Sequence, residues 1–192
     1  MASLELAPSG DSFVQWTPST GTDNYELVNE DSGLPNDLDY VSITANNNKD
    51  RYDWSYNILL NAATINYVRI GMRAKRVGVA EFKPFYYDGT SYHYGTESTL
   101  TTSFADTYYT WATNPDGGSA WIGINDIQTG RWGIQSVLPR GRGNIVYVSN
   151  LWLIINYTEA AGYGNDVNGV DSGDIGKIWG VATADISKVN GV

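Results

Sequence analysis

The chain has 192 residues, of which 42% are hydrophobic and only 17% charged. That length suits one domain with a small appendage, and the apolar content excludes a chain that is disordered throughout. A formal charge of −9, with no Lys or Arg before Lys49, argues against binding nucleic acid or an anionic membrane surface.

The charge is unevenly placed. Residues 1–48 hold eight acids and no base, residues 49–158 ten bases and eight acids, and residues 159–192 two bases and five acids. An acidic segment beside a weakly basic body is a means for copies of one chain to dock head to tail. Fourteen Tyr, seven Trp and twenty-one Gly are the composition of an all-β protein with many turns. Without Cys, neither disulfides nor thiol chemistry enter. The first residues lack the basic and apolar regions of a secretory signal. The longest apolar run, Leu151–Ile155, is far too short for a membrane-spanning helix, so no membrane insertion is expected.

In chain order, residues 1–11 read as an N-terminal arm. Short strands are predicted at Phe13–Trp16, Tyr25–Leu27, Tyr40–Thr44 and Tyr52–Tyr56, separated by turn-forming Pro, Gly, Asn and Asp. From Ile65 to Lys75 the alternation is plain: Val68, Ile70, Met72 and Ala74 share one face, with Tyr67, Arg69, Arg73 and Lys75 on the other. Glu81–Tyr87 and Ser91–Tyr94 flank Asp88-Gly89-Thr90, the strongest hairpin signal. Thr99–Phe104, Tyr108–Ala112, Arg131–Val137 and Ile145–Tyr157 complete the set, and Trp121–Ile127 has room for one helical turn. In the last strand Leu151, Leu153, Ile155 and Tyr157 fall on one face, and Trp152 and Ile154 on the other. Many short strands at this spacing predict an antiparallel β-sandwich or jelly roll over residues 12–158.

Residues 159–192 form a linker and a repeat tail. Val167–Lys177 aligns with Ile178–Lys188 at a period of eleven, and Val189-Asn-Gly-Val192 begins a third copy. Asp174 and Asp185 are placed to cap a short helical turn in each copy. Two copies have too little core to stand alone, so the apolar positions Val167, Val170, Ile175, Ile178, Trp179, Val181, Ile186 and Val189 are the predicted assembly residues.

Chemistry is sparse. His93 is the sole histidine and reads as a surface or cross-strand side chain on a hairpin strand, an isolated imidazole without an orienting partner; one His and no Cys exclude a zinc centre. No nucleophile motif, phosphate loop or ladder of paired carboxylates accompanies it, so no catalytic residue and no cofactor is expected. Asp31, Asp37 and Asp39, with Asn36 around Gly33-Leu-Pro35, are oxygen-rich enough for Ca²⁺, but their spacing fits turn formation as well and no metal is expected. Trp111, Trp121 and Tyr92 are candidates for stacking on sugar rings.

Several runs together carry a resemblance: Tyr67–Lys75, Asp88-Gly-Thr90, Trp111–Pro115 with Ala120-Trp121, Trp132-Gly-Ile134 and Leu151–Tyr157, preceded by Leu27–Glu30 and Asp39–Val41. Over most of residues 12–158 the chain resembles the jelly-roll structural proteins of tailed bacteriophages and related metagenomic sequences. Its repeat tail is similar to C-terminal tails of phage and viral particle proteins. The resemblance implies a non-enzymatic particle subunit in a virion or extracellular assembly, partnered by copies of itself and by other particle proteins. It carries over no catalytic or metal residue. Two other readings stand beside it: a carbohydrate-binding module for host attachment, and a cellular filament subunit that donates residues 1–16 by strand exchange.

Overall fold

A computed structural model describes residues 2–30, 32–55, 64–121, 127–128, 130–139, 143–158, 177–178 and 181–182. The chain is an all-β sandwich of two antiparallel sheets. Its strands are β1 (Ala2–Leu6), β2 (Pro8–Phe13), β3 (Thr17–Pro18), β4 (Val41–Ile43), β5 (Lys49–Trp54), β6 (Thr64–Val77), β7 (Glu81–Tyr87), β8 (Tyr92–Tyr94), β9 (Ser98–Thr99), β10 (Ala105–Trp111), β11 (Arg131–Val137) and β12 (Ile145–Thr158). One sheet runs β10-β6-β12-β4-β3, with β1 beside the far half of β12. The other runs β2-β5-β11-β7-β8, with β9 on the remaining length of β7. A separate two-residue pair, β13 (Lys177–Ile178) with β14 (Val181–Ala182), lies in the repeat tail.

The core follows from period-two patterning. Val68, Ile70, Met72 and Ala74 of β6 are buried, as the alternation predicts, and face Tyr52, Phe82, Trp132 and Ile134 of the other sheet within one apolar cluster. In β12 the register slips between Val148 and Asn150. That bulge absorbs one residue, so Val146 and Val148 share the core side with Leu151, Leu153 and Ile155 despite their opposite parity. On the outer side of β12, Trp152 is 2% exposed because its indole lies across Gly71 of the neighbouring strand. A Cβ at residue 71 would stand 2.3 Å from that ring, so only glycine admits it.

Three expectations are corrected. Residues 1–11 are no free arm: β1 pairs with β12, Ala2 opposite Tyr157, and β2 pairs with β5. The alternation Ala2, Leu4, Leu6 explains it, since Leu6 is buried and Leu4 packs on the core. Tyr25–Leu27 is a 3-10 turn rather than a strand. The Asp11 carboxylate accepts the amides of Asn24 and Tyr25 at 2.7 and 2.9 Å, which holds the turn open at its start. The strand expected at Phe13–Trp16 ends at Phe13 because a buried carboxylate captures the next amides: Asp50 Oδ1 accepts Gln15 N at 2.7 Å and Trp16 N at 2.8 Å. Its Oδ2 accepts Asn24 Nδ2 and, at 3.1 Å, the Tyr52 hydroxyl. Asp50 is fully buried, and burial raises its pKa although four donors pull the other way.

Candidate functional site

The side chains that can meet a partner lie on the outer face of the second sheet. In β5 the buried Asp50, Tyr52 and Trp54 alternate with Lys49, Arg51 and Asp53, which therefore point outward. Lys83, Phe85 and Tyr87 of β7 share that face, and β8 adds Tyr92 and Tyr94. In register between Arg51 and Phe85 stands Gly133. Without a side chain there, the Phe85 ring settles into the sheet and is fully buried; a Cβ would come 2.7 Å from it. Tyr92 packs edge-on to Phe85 at 5.0 Å and lies 4.6 Å from Tyr87, while Tyr94 stacks on Tyr92 at 6.1 Å.

Each exposed ring carries a cation. Lys49 Nζ sits 5.0 Å from the Tyr92 ring centre, Arg51 4.5 Å from Tyr87 and Lys83 4.5 Å from Tyr94. None of the three has a carboxylate partner among the described residues, whereas Arg131 is paired to Asp53 at 2.5 Å. The face is thus cationic on an acidic chain. At one end Ser12, Arg51, Tyr87, Gly89 and Arg131 line a shallow cleft of about 220 Å³.

A second group lies at the β7–β8 hairpin. His93 Nε2 is 2.7 Å from Asp88 Oδ2, and the other Asp88 oxygen accepts the amides of Thr90 and Ser91 at 2.6 and 2.7 Å. The imidazole and these amides hold the Asp88 carboxyl down at about 2. The expectation of a histidine without an orienting partner is corrected: the hairpin turn brings Asp88 round to it. Asp116 joins them, with one donor atom from each residue lying within 4.8 Å of the others. Among the described residues no fourth His, Cys, Asp or Glu joins the three, one short of the four protein ligands of structural zinc.

The other sequence candidates disperse. Asp37 is held by Arg73, whose Nε and Nη2 each approach a carboxylate oxygen at 2.7 Å, and Ser149 Oγ donates to it at 2.9 Å. The guanidinium lowers the Asp37 pKa. Asp39 accepts Asn36 Nδ2 at 2.7 Å, and among the described residues no three ligating side chains gather here; Asp31 lies outside the described residues. Trp111 and Trp121 are buried, and each contacts Trp132 edge-on or tilted, so neither ring is presented to a sugar. Tyr92 alone of the three stands on the open face. Ile178 and Val181 of the predicted assembly residues pair across β13–β14. Val167, Val170, Ile175, Trp179, Ile186 and Val189 lie outside the described residues, as do Asp174 and Asp185.

Sequence reasoning missed the cationic face as a unit. Its signal was present: Lys49/Arg51, Lys83/Phe85/Tyr87 and Tyr92/Tyr94 each follow period two, but only strand pairing puts the three runs side by side. No helix among the described residues is long and apolar enough to cross a membrane. No family model matches the chain, and no curated protein matches it.

Proposed function

We propose that the chain is a non-enzymatic structural subunit of a phage particle, virion or comparable extracellular assembly, working through subunit contacts. The observation that carries this reading is strand order. Leaving out the short edge strands, one sheet runs β4-β12-β6-β10 and the other β5-β11-β7-β8. The chain changes sheet at each step from β4 to β7, pairs β8 beside β7, and changes again at β10, β11 and β12. That order supports reading the winding as an eight-stranded jelly roll, a fold that viral capsid proteins use and that lectins use as well.

Sedimentation velocity and negative-stain electron microscopy of the full chain test the proposal. Discrete or polymeric assemblies at micromolar concentration are expected; a chain that remains monomeric at every concentration counts against it. A second reading, carbohydrate binding, is favoured by one feature, the Tyr87–Tyr92–Tyr94 row on an open sheet face. A monomer that binds oligosaccharides and loses them on Tyr92→Ala would establish that reading in its place.

A further inference from the structure

The most exposed apolar side chains of the described chain are Leu34 and Leu38, at 80% and 83%. Both sit in one acidic loop, and that loop is not slack. Asn36 accepts the Leu38 amide at 3.1 Å and donates to Asp39, its carbonyl takes the Asp39 amide, and Glu30 receives the Asn36 amide. Asp37 then fastens the whole loop to Arg73 and Ser149. Two leucines are therefore held out in water by a preorganised frame, which removes much of the ordering cost of docking them. Glu30 and Asp39 flank them and form no ion pair among the described residues.

Arg73 alternates with the buried Met72 and Ala74, so the loop rides on the outer face of the first sheet. The cationic tyrosine face is the outer face of the second. One sandwich thus shows an acidic, leucine-tipped knob on one side and a basic aromatic platform on the other, and Lys49, Arg51 and Lys83 there lack acidic partners. We propose that the occupant of the platform is a second copy of this chain, whose Leu34 and Leu38 pack on Tyr92 and Tyr94 while Glu30 and Asp39 face Lys49 and Lys83. The contact joins unlike surfaces, so each copy keeps one free knob and one free platform. Copies stack head to tail into a ring or an open row.

This inference rests on the assembly reading and names its contact. The test uses two full-length variants, Leu34→Asp with Leu38→Asp, and Lys49→Glu with Lys83→Glu. All four residues lie at the surface, so circular dichroism and melting are expected to match the unaltered chain. Each variant alone is expected to weaken self-association, raising its dissociation constant by at least about tenfold. Mixed in equal amounts, the two are expected to form dimers and stop there, because one supplies only a platform and the other only a knob. Raising salt from about 0.05 to about 0.5 M is expected to weaken the unaltered assembly. Self-association that ignores both variants overturns this contact and leaves the assembly reading standing. A chain monomeric at all concentrations overturns both. Saturable binding of polygalacturonate to the platform by a monomer, abolished by Lys49→Glu with Lys83→Glu, also overturns it and assigns the face to an acidic polysaccharide.

Discussion

Replacing Asp50 by Ala tests how the N-terminal third is fastened to the sandwich. The carboxylate accepts four donors, the amides of Gln15 and Trp16, Asn24 Nδ2 and the Tyr52 hydroxyl, at a site closed to solvent. Each buried donor left unpaired costs about 1–3 kcal/mol, which for four gives a ceiling of about 12 kcal/mol. Two effects reduce it. Water enters the space left by the side chain, and the desolvation that raises the Asp50 pKa is relieved once the charge is gone. The expected loss is about 3–5 kcal/mol, a large part of the ~5–15 kcal/mol of an ordinary domain. Urea unfolding followed by tryptophan fluorescence measures it as a fall in midpoint with the slope unchanged. Asp53→Ala is the internal reference: same strand, outward-facing, its Arg131 partner exposed, and so worth no more than about 1 kcal/mol. If Asp50→Ala costs no more than Asp53→Ala, the carboxylate is not the fastening and the argument fails.

Gly71→Ala should destabilise by about 1–3 kcal/mol because its Cβ displaces the Trp152 indole. Calorimetry should show that cost nearly vanish in a Trp152→Ala background. Asp88 has a folded pKa below its unfolded value, so its contribution is complete above about pH 4 and lost as pH falls towards 2. Acid-unfolding curves of the unaltered chain and Asp88→Asn should therefore differ above pH 4 and converge below it; parallel curves would refute the pairing. Chelation should leave the melting temperature unchanged, since Asp37 is held by Arg73; an EDTA-induced drop restored by Ca²⁺ would reveal a metal site. Deleting residues 163–192 should leave a folded sandwich, since among the described residues the last strand of the two sheets ends at Thr158, with assembly weakened or lost. An unfolded product by circular dichroism would place the tail in the core.

Strands that alternate over many residues were legible. Glu81–Tyr87 and Arg131–Val137 fall where periodicity sets them, and β6 buries the predicted face. What eluded pattern reading was decided across long sequence distances. Tyr25–Leu27 has strand-like composition, but two Asp11 hydrogen bonds from fourteen or fewer residues upstream make it a turn. Of the stretch expected at Thr99–Phe104, only Thr99 lies in a strand, as the second residue of β9 against the end of β7. The candidate site shows the same limit. Trp111 and Trp121 carry the right rings for sugar, yet burial removes them. Lys49, Arg51 and Lys83 look like ordinary solvated charges until pairing lays them over tyrosines thirty or more residues away in the first two cases.

The pairing of β1 with β12 has a kinetic consequence. Ala2 lies opposite Tyr157 and Leu6 opposite Leu153, so β1 gains its hydrogen bonds only after synthesis has passed β12, about 150 residues later in the chain. Until then β1 is an open edge with apolar side chains at alternate positions, and the matching slot along β12 stays vacant in any molecule whose own β1 has not yet docked. Vectorial synthesis on crowded ribosomes therefore invites the β1 of one molecule to fill the slot of another. A slow final folding phase, sensitive to protein concentration and to substitutions in Leu4 and Leu6, would be its signature.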